Sequence, residues 1–243
     1  MSDFPADIYT EPHPLDVHTL DHLGPLRALA GVWTGTRGLD VKPKADGPRR
    51  QAFVERIELQ PIDPQTNGPQ LFYGLRYHTH IVKPGETETF HDQVGYWLWE
   101  AATETVTLTL GIPRAQVLLA GGHAAADATE FEVRAEVGSE IYGILSTPFL
   151  DQNFRTLSYR MLVTVHPDGT WSYEEEGVLD IPGRDEPFSH VDRNTLTRVE
   201  APEPNPLART PLAGSTVSGL GIGSLRDART SDYTTPDYRR TTS

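Results

Sequence analysis

The side chains with the clearest potential for chemistry are histidines, of which the chain has nine, whereas it has no cysteine. Two of them, His91 and His190, lie in stretches that have the composition of β-strands. An imidazole that a strand directs into a protein interior can bind a metal ion or transfer a proton near neutral pH. His190 is therefore a candidate ligand, and the competing interpretation is a structural pairing with a carbonyl group or with Asp192.

Three other polar residues are weaker candidates for a functional site. His78 and His80 are two apart, so on one strand they share a face and could bind a metal ion together with a third group. Because no further His or carboxylate is spaced to complete such a site, we expect both on the solvent side.

Glu55 stands between Phe53 and Ile57, on an apolar face. A carboxylate there needs a partner, or its pKa rises. We expect a structural ion pair with an arginine rather than a catalytic base.

Composition excludes several other kinds of site. Without cysteine the chain forms no disulfide, thiolate metal site, iron–sulfur cluster or cysteine nucleophile. Its 34 acidic and 21 basic residues give a net charge of −13, which disfavours contact with nucleic-acid phosphates. No apolar run has the length of a membrane helix, and the N-terminus lacks a signal-peptide pattern, so we expect a cytoplasmic protein. The sequence also lacks a Gly-x-Ser-x-Gly elbow, a phosphate-binding glycine loop with lysine and a His-Glu-x-x-His motif.

The elements that must position these residues are predicted to be strands. Polar and apolar residues alternate over 105–110 and again over 156–165. About ten such runs fit between residues 29 and 200, separated by turn sequences such as His166-Pro-Asp-Gly169. Only residues 23–30 have a helical pattern. Many strands and one short N-terminal helix predict an all-β fold, an antiparallel barrel or sandwich. A closed barrel of this size would enclose a cavity for one ligand.

Two flanking segments differ from this pattern. Residues 1–22 are acidic, without lysine or arginine and without an apolar period. Residues 202–243 are rich in Pro, Gly, Ser and Thr and bury too little apolar surface to offset the entropy of ordering. We therefore predict an N-terminal extension over 1–22, a barrel domain over 23–201 and a C-terminal tail over 202–243. Both flanking segments are expected to be mobile or peripherally docked.

Several motifs occur in the order typical of one family. Leu26-Arg-Ala-Leu-Ala-Gly-Val-Trp-Thr-Gly-Thr-Arg-Gly38 is similar to the Leu-x-x-Leu-x-Gly-x-Trp-x-Gly-x-Gly opening of the nitrobindins. Phe53-Val-Glu-Arg-Ile57 resembles their second strand, and His91-Asp-Gln-Val-Gly-Tyr96 resembles their His-x-Glu-x-Gly-Tyr motif. Residues 110–122 resemble their strand–turn–strand segment, and 190–198 the closing strand that supplies the proximal haem ligand. The chain therefore resembles the nitrobindins, which are haem barrels similar to fatty-acid-binding proteins.

The resemblance implies a roughly ten-stranded antiparallel barrel of the lipocalin type that holds one ferric haem b near its mouth, with a short helix at the far end. The cofactor-binding residues that it implies, by position, are His190, His91, Phe90, Ile112, Pro113 and Gly177. Of these, His190 would bind the iron as the metal ligand, and the other residues would line the pocket. The chain departs from the family pattern in two places. Gln93 replaces a Glu, and the spacing from His190 to Leu196 is one residue longer. Either a β-bulge lies within that spacing or Val191 takes the place of the ligand.

The function implied by the resemblance is binding of nitric oxide and isomerisation of peroxynitrite to nitrate. A single neutral imidazole on the iron, facing an apolar wall without strong hydrogen-bond donors, favours small ligands of this kind. No catalytic residue is expected beyond the haem iron, which carries the chemistry. The expected partners are these small molecules, and neither nucleic acid nor a membrane is expected. The chain could also form a homodimer.

Two alternatives use the same barrel without this chemistry. The first is an intracellular carrier of a fatty acid or another apolar molecule, which needs a buried cluster of Arg and Tyr for the carboxylate. Arg76, Tyr77, Tyr159 and Arg160 could form that cluster, although such carriers have a pair of helices as a lid and this chain has one. The second is a biosynthetic enzyme that uses the barrel as a cage.

Overall fold

The computed structural model of the protein describes residues 7–204, and the predicted C-terminal tail lies outside the described residues from position 205 onward. The described part contains twelve β-strands, two short α-helices and one 3₁₀ helix. No helix among residues 7–204 has the length and apolar character needed to cross a membrane. The strands are β1 (Gly31–Lys44), β2 (Gly47–Pro61), β3 (Gln65–Asn67), β4 (Gln70–Val82), β5 (Thr89–Glu100), β6 (Thr105–Ile112), β7 (Gln116–His123), β8 (Glu130–Val137), β9 (Gly143–Ser146), β10 (Arg155–Val165), β11 (Trp171–Asp180) and β12 (Phe188–Glu200). The helices are α1 (Thr19–His22), the 3₁₀ helix (Gly24–Leu29) and α2 (Pro148–Asn153).

Backbone hydrogen bonds close the strands into a barrel. The order around the wall is β2-β1-β12-β11-β10-β8-β9-β7-β6-β5-β4, and pairing of β2 with β4 completes the ring. The short strand β9 lies between β7 and β8 and is parallel to β8, whereas the other neighbours in the wall are antiparallel. Strand β3 pairs only with β4. The predicted all-β fold, a barrel of roughly ten antiparallel strands, is confirmed.

The helical segment predicted near the N-terminus closes one end of the barrel. Leu23, Leu26 and Leu29 are completely buried there, against the indole rings of Trp33 and Trp99. The indole nitrogen of Trp33 donates a hydrogen bond of 2.7 Å to the carbonyl oxygen of Leu29. Burial of this many large apolar side chains supplies much of the hydrophobic stabilisation of the fold.

A glycine sets how closely this segment approaches the barrel. Gly24 has φ +51°, and a Cβ atom added to it would lie 2.4 Å from the ring of Trp99. A residue with a side chain would therefore be strained by its backbone and would also collide with the indole. The helix α2 was not predicted from the sequence. It has no buried residue, so it lacks the buried apolar face that indicates a helix.

The described part of the N-terminal extension contacts the barrel. The hydroxyl of Thr19, which is buried, donates a hydrogen bond of 2.6 Å to the carbonyl oxygen of Ile62. The ring of His22 lies 4.8 Å from that of Tyr73 and its Nε2 lies 2.8 Å from Asp16 Oδ2. Thr19 and His22 therefore hold this part of the extension against the barrel wall.

The other end of the barrel is open toward the turns that follow β6 and β11. The N-terminal part of β12 lies here, because it pairs with the C-terminal parts of β1 and β11. The N-terminal part of β5 lies here as well, since it pairs with the C-terminal parts of β4 and β6. Both candidate histidines belong to these strand ends.

We predict that the closed end determines stability and that the exposed wall does not. Leu26→Ala should lower the free energy of unfolding by about 2–5 kcal/mol, because it leaves a cavity at a fully buried position. The matched change Leu145→Ala removes a side chain that is 72% exposed and should alter stability by less than about 0.5 kcal/mol. Urea denaturation measures both values, and similar losses in the two variants would contradict this division.

Candidate functional site

His190 projects from β12 into the barrel. Phe188, Asn194 and Leu196 on the same strand are buried, and every second residue between them shares their face. The pairing of β12 with β11 has no irregularity from Phe188 to Leu196, so the expected bulge after His190 is absent. Because the spacing of six residues keeps His190 and Leu196 on one face, Val191 points the other way and does not take the place of the ligand.

The imidazole of His190 lies between two carboxylates. Its Nε2 is 2.9 Å from Asp40 Oδ1, and 3.4 Å from Asp192 Oδ2. The side chain of Asp40 is only 3% exposed, and Lys42 Nζ lies 3.2 Å from its second oxygen. Burial by itself lowers the pKa of His190, but the hydrogen bond to Asp40 and the charges of Asp192 and Asp40 raise it above its ordinary value. The pairing considered for His190 thus exists, with Asp40 as its main partner.

Open space lies beside this imidazole. Gly177 is the direct partner of His190 on β11, and a Cβ atom added to it would meet no other atom within 4 Å. The side chain of His190 is 34% exposed. Its partial burial is nevertheless one of the influences on its pKa. The lumen at the open end therefore has room next to the ring.

The other predicted pocket residues come from β5 and β6. His91 shares the inner face of β5 with the buried Gln93, whose Oε1 lies 3.2 Å from His91 Nε2. Burial lowers the pKa of His91, and the charge of His190 is among the smaller causes. Ile112 ends β6 and packs against the core, and Pro113 begins the exposed turn that follows.

Phe90 lies at the rim of the open end. The pairing of β4 with β5 shifts at this residue, because Ile81 faces His91 whereas Val82 faces Thr89. The ammonium group of Lys42 lies 4.1 Å from the centroid of the Phe90 ring. Since Lys42 belongs to β1, which is not a neighbour of β5 in the wall, this contact links two sides of the rim.

Deeper in the lumen, two carboxyl groups are bonded to neutral partners. Both oxygens of Glu55 accept hydrogen bonds of 3.0 Å from the Tyr173 hydroxyl, and Oε2 accepts one of 2.9 Å from Asn194. The ion pair with an arginine that we expected is wrong, and burial instead raises the pKa of Glu55 to about 7. Glu175 accepts a hydrogen bond of 3.1 Å from the Tyr159 hydroxyl, and burial raises its pKa to about 7 as well. The lumen is therefore more polar than the expected apolar wall.

The two arginines considered for a fatty-acid carrier lie outside the lumen. Arg160, proposed as a carboxylate-binding residue, forms ion pairs with Glu132 and Glu174 on the outer face. Arg76 is exposed on the outer face of β4, so the arginine–tyrosine cluster of a fatty-acid carrier is not formed by these residues. His78 and His80 lie on the solvent side, as expected, bonded to Asp92 and Thr89 respectively.

His190 has a carboxylate partner of the kind that metal-binding histidines have. Histidines that bind metals in proteins almost always donate their other ring N–H to a carboxylate or a carbonyl group. The described hydrogen bonds of the His190 side chain all use Nε2, and open space lies at Gly177 on the neighbouring strand. Asp40, His190 and Asp192 could also hold a small metal ion, since their ligand atoms lie within 4.8 Å of one another. The ammonium group of Lys42 already occupies part of that set.

Sequence reasoning missed Asp40, Glu175 and Tyr173, and it named Tyr159 only for the cluster of a fatty-acid carrier. Glu175 lies in the run Glu174-Glu175-Glu176, which has the composition of an exposed strand. Its position two residues after Tyr173, which alternates inward, is the one signal that could have found it. Asp40 gives no such signal, because an irregularity of β1 decides which way it points.

Comparison with known proteins identifies a family and a fold. Residues 22–198 match the family of the THAP4-like, heme-binding beta-barrel domain. No curated protein matches the chain significantly. Among solved structures, Rv2717c from M. tuberculosis aligns with a TM-score of 0.52 at 17% identity, over 75% of this chain and 98% of that chain, and so has the same fold. A beta-barrel-like protein of a domain of unknown function from Brucella abortus aligns with a TM-score of 0.23 at 7% identity, over 72% of this chain and 99% of that chain.

We predict that Glu55 makes stability fall as pH rises. Its carboxyl pKa is about 7 in the folded protein against an ordinary value of 4.5, so between these values the unfolded chain releases a proton that the folded chain keeps. Glu55→Gln removes this cost and should raise the free energy of unfolding by roughly 2–3 kcal/mol near pH 8, with little effect near pH 4.5. Urea denaturation at both pH values tests this.

The matched control is Glu86→Gln, which removes a carboxylate from an exposed ion pair with Lys83. Exposed pairs contribute little, so this variant should match the wild type within about 0.5 kcal/mol at high pH. Destabilisation of Glu55→Gln near pH 8 would contradict the raised pKa of Glu55.

Proposed function

Because the chain belongs to the THAP4-like, haem-binding β-barrel family, as its resemblance to the nitrobindins predicted, we propose that it binds one haem b at the open end of the barrel through His190. The observation that carries this proposal is the inward imidazole of His190, with one ring nitrogen on Asp40 and open space at Gly177 beside it. The proposed state of the iron is ferric.

Each predicted pocket residue has a part in holding the group. His190 would be the iron ligand, and Gly177 would leave room for the macrocycle because it has no side chain. His91, Phe90, Ile112 and Pro113 would line the pocket from the opposite strands. Two cations lie at the same end: Lys42 over the ring of Phe90, and Arg184, whose guanidinium is 5.3 Å from the centroid of Phe188. Their positive charge complements an anionic porphyrin.

His91 is suited to line the pocket without being a second iron ligand. Its Nε2 faces the Oε1 oxygen of Gln93, an acceptor, so this nitrogen must donate a proton. Gln93 is itself held in place, because its amide nitrogen donates a hydrogen bond of 2.9 Å to the Tyr77 hydroxyl. Burial lowers the pKa of His91 and favours the neutral ring, which lets it accept a hydrogen bond through Nδ1.

The reaction that we propose is binding of nitric oxide and isomerisation of peroxynitrite to nitrate. When bound, the haem would supply the iron at which these small molecules bind and at which the isomerisation is promoted. The isomerisation rearranges the atoms of one molecule, so the protein needs to provide neither an oxidant nor a reductant. Its residues hold the porphyrin, limit access to the lumen from the rim and keep the reacting fragments together. The proposed partners are accordingly small molecules.

We predict that haem binding depends on His190 and much less on His91. Adding hemin to the haem-free protein should produce a Soret band that shifts when nitric oxide is added. His190→Ala removes the iron ligand and should abolish or broaden the band, whereas His91→Ala should leave haem bound. His78→Ala, which removes an exposed imidazole on the outer face, is the control and should bind as the wild type does. An unchanged band in His190→Ala would refute the assignment of the ligand.

We further predict that the haem-loaded protein accelerates the decay of peroxynitrite. Stopped-flow absorbance measures the decay, and ion chromatography of the products measures the ratio of nitrate to nitrite. The expected result is a faster decay with nitrate as the main product, and His190→Ala should lower the acceleration to that of the protein without haem. Haem binding without any acceleration would reject the isomerase activity but leave the haem site intact.

A further inference from the structure

We propose that the outer surface of β5, β6, β7 and β9 is the interface through which this chain binds a second copy of itself. This surface, called the apolar face below, is defined by five exposed side chains, Val94, Tyr96, Val117, Leu119 and Leu145. It lies on the outside of the barrel wall, so the proposal does not depend on haem binding in the lumen.

The strand pairing places these side chains side by side. One row crosses four strands and consists of Val94, Gly111, Val117 and Leu145. The next row on the same face consists of Tyr96, Thr109 and Leu119. Because neighbouring strands lie about 4.8 Å apart, side chains in such rows form one continuous surface.

Exposed apolar side chains are concentrated in this part of the wall. Eight of the twelve large apolar side chains that are exposed in residues 7–204 lie on the apolar face or in the segments next to β9. The three in those segments are Ile141, Phe149 and Phe154. The eight expose roughly 700 Å², which exceeds the apolar patches usual on monomers and approaches the 800 Å² that each partner contributes to a standard interface.

The distribution of charge favours a second copy as the partner. Strands β6, β7 and β9 contain no Asp, Glu, Lys or Arg. The neighbouring sector of the wall is charged, since Arg160 on β10 pairs with Glu132 on β8 and Glu174 on β11. Two copies that each carry a net charge of −13 repel one another. Contact through the apolar face brings the fewest like charges together.

The shape of the apolar face suits contact with an identical face. A Cβ atom added to Gly111 would have only Val117 and Val94 among the described residues within 4 Å, the nearer at 3.7 Å, so a shallow hollow lies over this glycine. Leu145 projects from the same row with 72% of its surface exposed. A two-fold axis, the commonest symmetry of protein dimers, can place the projection of each copy in the hollow of the other.

Sedimentation velocity of the full chain over a range of concentrations tests the proposal. The wild type should form a dimer that dissociates on dilution. Val117→Arg buries an unpaired charge in the interface and should weaken the dimer more than about 100-fold. The matched control is Val199→Arg on β12, because Val199 is 52% exposed and Val117 is 50% exposed. This control should form the dimer as the wild type does.

A cross-linking experiment does not require the dimer to be weakened. The chain has no cysteine, so a single introduced cysteine is a specific attachment point. Leu119→Cys should give a covalent dimer with a flexible bis-maleimide, whereas Val199→Cys should remain largely monomeric. Equal yields from the two variants would contradict the assignment of the face.

Other results would overturn the proposal. One is a wild type that stays monomeric at every concentration, and another is a dimer that Val117→Arg leaves intact. Deletion of residues 205–243 tests the tail of the chain as a competing occupant. A dimer that forms only after this deletion would show that the tail covers the face. Because dilution separates the copies, the small effect expected for Leu145→Ala on unfolding refers to the dilute monomer.

Discussion

The cost of burying charged groups is the constraint on which the interior of this barrel depends. A carboxylate inside a protein must be paired, hydrogen-bonded or protonated. Asp40 is paired with Lys42 and bonded to His190. Glu55 and Glu175 have only tyrosine and asparagine partners, and burial raises the pKa of each to about 7. The wall thus has the ion pair of Asp40 and Lys42 near the rim. Below it lie Glu55 and Glu175, two carboxyl groups with raised pKa values.

The residues that stabilise the barrel and the residues of the candidate site lie at opposite ends of it. At the closed end, the completely buried Leu23, Leu26 and Trp33 belong to one apolar cluster. At the open end, His190 keeps exposed surface and Gly177 has free space beside it. A site of this kind tolerates polar side chains that would be costly in a packed core, because the lumen lets water or a ligand reach them.

The sequence predicts the strands well because alternation is a local property, and it predicts the inward direction of His190 because the strand of His190 alternates regularly. It does not predict the partners of Glu55, since Tyr173 and Asn194 lie 118 and 139 positions away along the chain. Only the closure of the barrel brings these three residues together. Charge alone favours an arginine as the partner of Glu55, whereas Arg160 on β10, considered for a fatty-acid carrier, lies on the outer face beside Glu132.

The irregularity of β1 determines which side chain of that strand faces His190 and leaves the direction of His190 unchanged. An added residue in a pair of strands must be accommodated on one of them, and the residues beyond it on that strand change face. Here the shift lies on β1 between Thr34 and Leu39, while β12 pairs regularly with β11. His190 therefore keeps its inward direction, and the face that changes is the one that carries Asp40. One local irregularity thus leaves the imidazole in the lumen and supplies its carboxylate partner.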